Sequence, residues 1–164
     1  MDIGLIVEVL GLQYNINKIE ACFNMGSICG FKCCNHTHNK HSHFIMMYPG
    51  EYESSQLPKE HIEILEERYG ALIGRCLHSI SERKDCDGNN KFKPLDCYSY
   101  PFFPSIKNGQ LILKVDSVRC PLSRENIQTH YWQVMKVWQE LIKDNKIYNC
   151  IEKFEVKYYT EFLI

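Results

Sequence analysis

Cysteine is the residue that most constrains this chain, because nine cysteines are distributed over 164 residues and three of them lie in one short stretch. That stretch runs from Cys29 to His43, reads CGFKCCNHTHNKHSH, and also contains four histidines. Thiolates and imidazoles are ligands that zinc and iron bind well. The stretch therefore predicts a metal site, and it leaves open whether the cysteines or the histidines bind the ion.

The start of the chain lacks the basic region and the small-residue cleavage site of a secretory signal peptide. Asp2 opens it, and Glu8 lies inside its first apolar run. No apolar run approaches the ~18 residues that a membrane-spanning helix needs. We therefore expect a cytoplasmic protein with no membrane partner. In a reducing compartment, many cysteines indicate metal or redox chemistry more often than disulfides.

The length predicts a single domain over residues 1–164, with a cysteine-rich metal-binding region over 22–120. Its apolar fraction of 45% is enough for an ordinary core, so size alone does not require a metal for folding. The net charge of −1, with no basic run longer than Arg83-Lys84, predicts no nucleic-acid partner.

Apolar periodicity predicts a small compact α+β domain with two main helices, a few short strands and long cysteine-bearing loops. The first helix is expected over 54–70, ending at Gly70, on a stripe of Leu57, His61, Ile64, Leu65 and Tyr69. The second is expected to follow a Ser123 cap, on a stripe of Ile127, Tyr131, Val134, Trp138, Leu141 and Ile142. Strands are expected within 44–50, 71–80, 109–120 and 151–164, and a turn-rich segment over 82–104.

Most of the cysteines lie in loops rich in glycine, proline and asparagine, or at the ends of predicted strands. Backbone in such places can curl around an ion, whereas buried structural cysteines belong to periodic apolar stripes. Cys33 and Cys34 are neighbours, and in extended chain their side chains point to opposite sides. One of the pair is expected to bind a metal while the other faces a second site or the core.

Four motifs in order, CGFKCC, GRCLHS, KPLDCYSYPFFP and RCP, resemble the pattern of the YkgJ-like CxxCxxCC family, a zinc- or iron-chelating domain. The resemblance implies zinc or iron as cofactor, with a 4Fe–4S cluster as one form of the iron, and it puts Glu51 at the family's acidic position. Its implied metal ligands are Cys29, Cys33, Cys34, Cys76, Cys86, Cys97, Cys120 and, as the first member of the set, Cys22. Eight cysteines fit two four-thiolate sites, or one four-cysteine cluster with spare thiols.

The four histidines, His36, His38, His41 and His43, are flanked by asparagine, threonine, lysine and serine, which favours a solvated loop. The family pattern does not require them, although one of them completing a site of three cysteines remains an alternative.

The function predicted is that of a metal-binding protein whose partner is the metal ion. One alternative is an iron–sulfur-dependent protein-modifying enzyme that resembles the flagellin lysine methylase family. Another is a thiol redox or metal-handling protein in which Cys33 and Cys34 cycle as a reactive pair. The sequence contains no catalytic motif, so it leaves open whether the protein is an enzyme.

Overall fold

The computed structural model describes residues 45–53, 59–77, 94–116, 124–154 and 159–163. Within them the chain forms three α-helices, a short 3-10 helix at Lys59–His61, and two antiparallel sheets of three strands each. The strands are β1 (Ile45–Met47), β2 (Ile62–Arg68), β3 (Ala71–Cys76), β4 (Phe102–Lys107), β5 (Gln110–Asp116) and β6 (Tyr159–Glu161). The helices are α1 (Leu95–Ser99), α2 (Arg124–Leu141) and α3 (Asn145–Lys153). The predicted α+β class is confirmed.

The first sheet has the strand order β1–β3–β2, so β3 lies between two antiparallel neighbours. A two-residue turn, Tyr69-Gly70, joins β2 to β3 and brings Arg68 opposite Ala71. Both turn residues have positive φ, 54° for Tyr69 and 84° for Gly70. Positive φ at both positions is the mark of a type I′ turn, whose twist matches that of the strands it joins. Gly70 therefore closes a hairpin.

The helix predicted over 54–70 is wrong, because residues Ile62–Arg68 form β2; residues 54–58 lie outside the described segments. The apolar spacing that suggested a helix leaves Ile64 and Leu65 exposed, at 37% and 44%, while Ile62 is buried. An amphipathic stripe is stabilised as a helix mainly by the surface that it covers. Here the type I′ turn returns the chain so that β3 satisfies the backbone of β2, with a shift of register between Ile64 and Glu66.

Three other strand predictions are confirmed in the described residues, as β1, β3 and β5. The strand expected in the tail is confirmed over Tyr159–Glu161, but residues up to Lys153 belong to α3 instead. The apolar pattern of the sequence does not predict α3, which begins where the carboxylate of Asp144 accepts a 2.8 Å hydrogen bond from the Lys146 amide. In the segment expected to be turn-rich, residues 94–104 contain α1 and the first part of β4.

The second sheet has the order β4–β5–β6 and is antiparallel throughout. Its first two strands are joined by Asn108-Gly109, again with positive φ at both residues, 52° and 75°. Asn-Gly is the preferred pair for a type I′ turn. At the other edge Val115 pairs with Thr160, which ties the end of the described chain to β5.

Helix α2 confirms the second predicted helix, and it supplies the centre of the main core. Val134, Trp138 and Leu141 are fully buried along one of its faces. The indole Nε1 of Trp138 donates a 2.8 Å hydrogen bond to Ser99 Oγ, and the ring meets Tyr48 edge-on at 4.5 Å between centroids. A second, smaller cluster consists of Ile45, Met47 and Ile62. None of the helices in the described segments is long and apolar enough to cross a membrane.

Candidate metal centre

Cys76 and Cys97 are the two predicted metal ligands that the structure describes. Cys76 is the last residue of β3, where it pairs with Ile62, and Cys97 is the middle residue of α1. Both cysteines are half-buried, and both pack against the small cluster of Ile45, Met47 and Ile62. The fold therefore brings these two cysteines, from a strand end and a separate helix, onto one group of side chains.

The remaining predicted ligands lie outside the described residues: Cys22, Cys29, Cys33, Cys34, Cys86 and Cys120. The four histidines from His36 to His43 lie outside them as well. The structure therefore neither joins these residues to the two described cysteines nor separates them from that pair.

Two of the undescribed segments join the described chain beside the two cysteines. Residues 1–44 lead into β1, whose first residue, Ile45, pairs with Gly74, two positions before Cys76. Residues 78–93 leave the chain after Leu77 and return at Pro94, immediately before α1. The ends of the segments that contain CGFKCC and Cys86 therefore join the described chain close to Cys76 and Cys97.

The segment that contains Cys120 is attached near the other end of α1. It leaves β5 after Asp116, one residue beyond Val115, which pairs with Phe102. It then leads into α2, where His130 Nε2 lies 2.9 Å from the carbonyl oxygen of Tyr100. Tyr100 is the residue that caps the C-terminus of α1.

Cys76 and Cys97 are of the residue type that a thiolate metal site uses. Zinc and iron–sulfur clusters usually take four protein ligands, with cysteine sulfur prominent among them. In the residues that the structure describes, no group of three or more histidine, cysteine, aspartate or glutamate side chains is arranged to hold an ion. The described pair would therefore supply two ligands, and the others would have to come from the attached segments.

Glu51 lies beside this region as a buried carboxylate, only 2% exposed. One of its oxygens accepts a 2.8 Å hydrogen bond from the amide of Tyr48, and the other accepts a 2.6 Å bond from the amide of Leu95. Burial raises the pKa of Glu51 to about 8; the two amides act to lower it, and the charge of Asp96 raises it further. Both carboxylate oxygens are thus bonded to backbone amides, which makes Glu51 a link between the turn after β1 and the start of α1.

Asp96 makes a second link between the same two elements. Its carboxylate accepts a 2.9 Å hydrogen bond from the amide of Met46, in the middle of β1. Burial raises the pKa of Asp96 to about 6, against a lowering effect of that amide. The sequence analysis missed this residue, and its only signal was an acidic side chain directly before a predicted ligand, Cys97.

Cys150, which the resemblance leaves out, lies in a different environment. It is 1% exposed within α3 and belongs to the main core. Burial raises the pKa of its thiol to about 11, although a hydrogen bond with the Ala71 backbone acts to lower it. Because the side chains of the main core enclose this thiol, Cys150 acts as a core side chain.

Comparisons of the chain with protein-family models, with curated proteins and with solved structures found no match. The resemblance to the YkgJ-like family therefore stays a prediction that depends on the order of the cysteine motifs. Those motifs and the positions of Cys76 and Cys97 are the features that indicate a metal centre.

Proposed function

We propose that this protein chelates zinc or iron through its cysteines, the iron either as a single ion or as a 4Fe–4S cluster. The observation that carries the proposal is the contact of both Cys76 and Cys97 with the cluster of Ile45, Met47 and Ile62. Two half-buried thiols against apolar side chains are suited to a site from which water is partly excluded, and such exclusion tunes a metal centre. Thiolate is also the ligand type that zinc and iron–sulfur centres share.

The proposed ligands beyond this pair come from the attached segments: Cys22, Cys29, Cys33, Cys34, Cys86 and Cys120. The segments that contain these cysteines join the described chain at Ile45, Leu77, Pro94 and Asp116. A bound ion would hold those segments against the first sheet and α1.

Purification without oxygen, followed by analysis of metal and acid-labile sulfide, tests the proposal. We expect stoichiometric zinc or iron in the wild-type protein, and a marked loss of that metal in Cys76→Ser and Cys97→Ser. Iron together with labile sulfide would identify a cluster, whereas zinc without sulfide would identify a single-ion site.

Cys150→Ala is the matched control, because Cys150 is buried in the main core and is expected to leave the metal content unchanged. A wild-type protein that carries no metal, and whose thiols all react with a titrating reagent, would refute the proposal.

A further inference from the structure

The helix that contains Cys97 has few means of holding itself in place. Helix α1 spans five residues, and its N-cap residue, Pro94, makes no side-chain capping hydrogen bond. Isolated helices of this length are unstable in water, so the position of α1 depends on contacts with other elements. Its first amide, that of Leu95, is capped by the distant carboxylate of Glu51, at 2.6 Å.

Two carboxylates bind α1 to the β1 region, one contributed by each side of the contact. Glu51, in the turn after β1, accepts from an amide of α1, and Asp96, in α1, accepts from the amide of Met46 in β1. Glu51 is itself fixed, because its second oxygen accepts from the Tyr48 amide and its own amide donates to the Tyr48 carbonyl at 2.9 Å. The two links therefore hold α1 against a turn that is internally hydrogen-bonded.

Strand β1 connects α1, which contains Cys97, to the strand that contains Cys76. It pairs with β3 through Ile45–Met47, and β3 ends at Cys76. Cys97 follows Asp96 directly in the sequence. The placement of Cys97 relative to Cys76 thus depends on backbone pairing from β3 to β1 and on two carboxylates from β1 to α1.

We infer that Glu51 and Asp96 are positioning residues of the metal centre: they fix the backbone of Cys97 relative to Cys76 without binding the ion themselves. This inference rests on the proposed function. Both oxygens of Glu51 are already bonded to backbone amides, which leaves that carboxylate poorly placed to be a ligand. Residues hydrogen-bonded directly to metal ligands typically contribute roughly 10–100-fold to metal affinity. Glu51 and Asp96 act on Cys97 through the backbone, so this range is the largest effect to be expected of them.

The test compares variants that keep or remove these hydrogen bonds. Asp96→Asn keeps an oxygen that can accept from the Met46 amide, whereas Asp96→Ala removes it. Glu51→Gln keeps one accepting oxygen for two amides, and Glu51→Ala keeps none. Each variant is purified without oxygen, and its bound zinc or iron is titrated with a competing chelator to obtain the relative affinity.

We expect Asp96→Asn to bind metal like the wild type, and Asp96→Ala and Glu51→Ala to bind it more weakly, by up to roughly 10–100-fold. The metal affinity of Glu51→Gln is expected to lie between that of the wild type and that of the alanine variants. Alkylation with iodoacetamide, mapped by mass spectrometry, is expected to modify Cys97 faster in the two alanine variants. Cys150 is expected to stay protected, which shows that the main core remains folded.

A double-variant comparison separates positioning from general stabilisation. If Asp96 acts through Cys97, Asp96→Ala adds no further loss of affinity to Cys97→Ser, whereas a general structural effect adds to it. The control is Glu140→Gln, since Glu140 pairs with Lys143 on the surface.

Failure of the proposed function can be distinguished from failure of the positioning role alone. A wild-type protein without metal refutes the proposed function. Metal-loaded wild type whose affinity is unchanged in Asp96→Ala and Glu51→Ala, or additive losses in the double variant, would overturn the positioning role alone.

Discussion

Burial and hydrogen bonding act in opposite directions on the carboxylate of Glu51. Removal from water disfavours the charged form, while the amides of Tyr48 and Leu95 favour it. Burial is the larger effect, so the pKa rises to about 8. The charge of nearby Asp96 adds to the effect of burial and also raises the pKa of Glu51.

This pKa makes protein stability depend on pH in a defined direction. The folded state binds the Glu51 proton more tightly than the unfolded state, where the pKa lies near its usual 4.5. The stabilisation from this group is complete below about pH 4.5 and is lost as the pH rises through about 8. Between about pH 5 and about pH 9 we expect the free energy of unfolding to fall by an amount on the order of a few kcal/mol.

Denaturant unfolding at several pH values measures this effect. Glu51→Gln carries no titrating proton at this position. Above about pH 6, the pKa of Asp96, the pH dependence of the free energy of unfolding is therefore expected to flatten in that variant, while Glu140→Gln keeps the wild-type dependence. An unaltered slope in Glu51→Gln would show that another group causes the dependence.

At the scale of elements, the first sheet is closely packed around Gly74 in β3. A Cβ atom at this position would lie 2.6 Å from the carbonyl oxygen of Glu63 and 3.2 Å from the side chains of Ile62 and Met47. The backbone oxygen cannot move without disturbing β2. Glycine is therefore required here by the close approach of a neighbouring strand and of the small cluster that contacts both cysteines.

We expect Gly74→Ala to lower the free energy of unfolding by about 1–3 kcal/mol, because overpacking forces the surrounding atoms apart. The same change is expected to reduce metal content, since it displaces Ile62 and Met47 beneath Cys76 and Cys97. Urea unfolding and metal analysis measure the two effects.

Gly109→Ala serves as the comparison for this variant. A Cβ at Gly109 meets no atom within 4 Å, so the change costs only the strain of a positive φ, roughly 1–2 kcal/mol. We expect it to leave the metal content unchanged. Wild-type stability and metal content in Gly74→Ala would contradict the packing argument.

At the scale of the whole molecule, the two apolar clusters have different relations to the candidate centre. The main core joins α2 and α3 to both sheets and contains Cys150, which is a core side chain. The small cluster has three buried members, Ile45, Met47 and Ile62, and it is the one that both candidate ligands contact. Loss of a metal would therefore affect the first sheet and α1 before it affects α2 and α3.

Removal of the metal by a strong chelator tests whether the first sheet and α1 depend on the metal more than α2 and α3 do. A structural zinc site contributes about 10–16 kcal/mol of apparent binding energy, comparable with the 5–15 kcal/mol of net stability of a typical domain. We expect a lower melting temperature, faster hydrogen exchange in residues 62–76 and 94–100, and retained protection in 131–151. Equal melting temperatures with and without the metal would contradict a structural role for the ion.

Strong local signals predicted part of the fold. The stripe from Ile127 to Ile142 predicted α2, because a long apolar face at helical spacing has few other ways to be buried. The Pro-Gly after Tyr48 and the apolar run of β3 were equally direct. The helix over 54–70 failed because Ile62, Ile64 and Leu65 suit either period, and because Tyr69-Gly70 resembles a helix end as much as a hairpin turn.

The sequence by itself determined the α+β class, the helix α2, and Cys76 and Cys97 as candidate ligands. Only the tertiary structure decided that these two cysteines share one apolar cluster and that β2 is a strand. It also decided that Cys150 lies in the core and that Glu51 and Asp96 hold α1 against β1. The physical reason is the separation along the sequence of the residues that interact. Helical periodicity is encoded within a few neighbouring residues, so the sequence alone can reveal it. The bond from Glu51 to Leu95, by contrast, joins residues 44 positions apart, and only the folded chain brings them together.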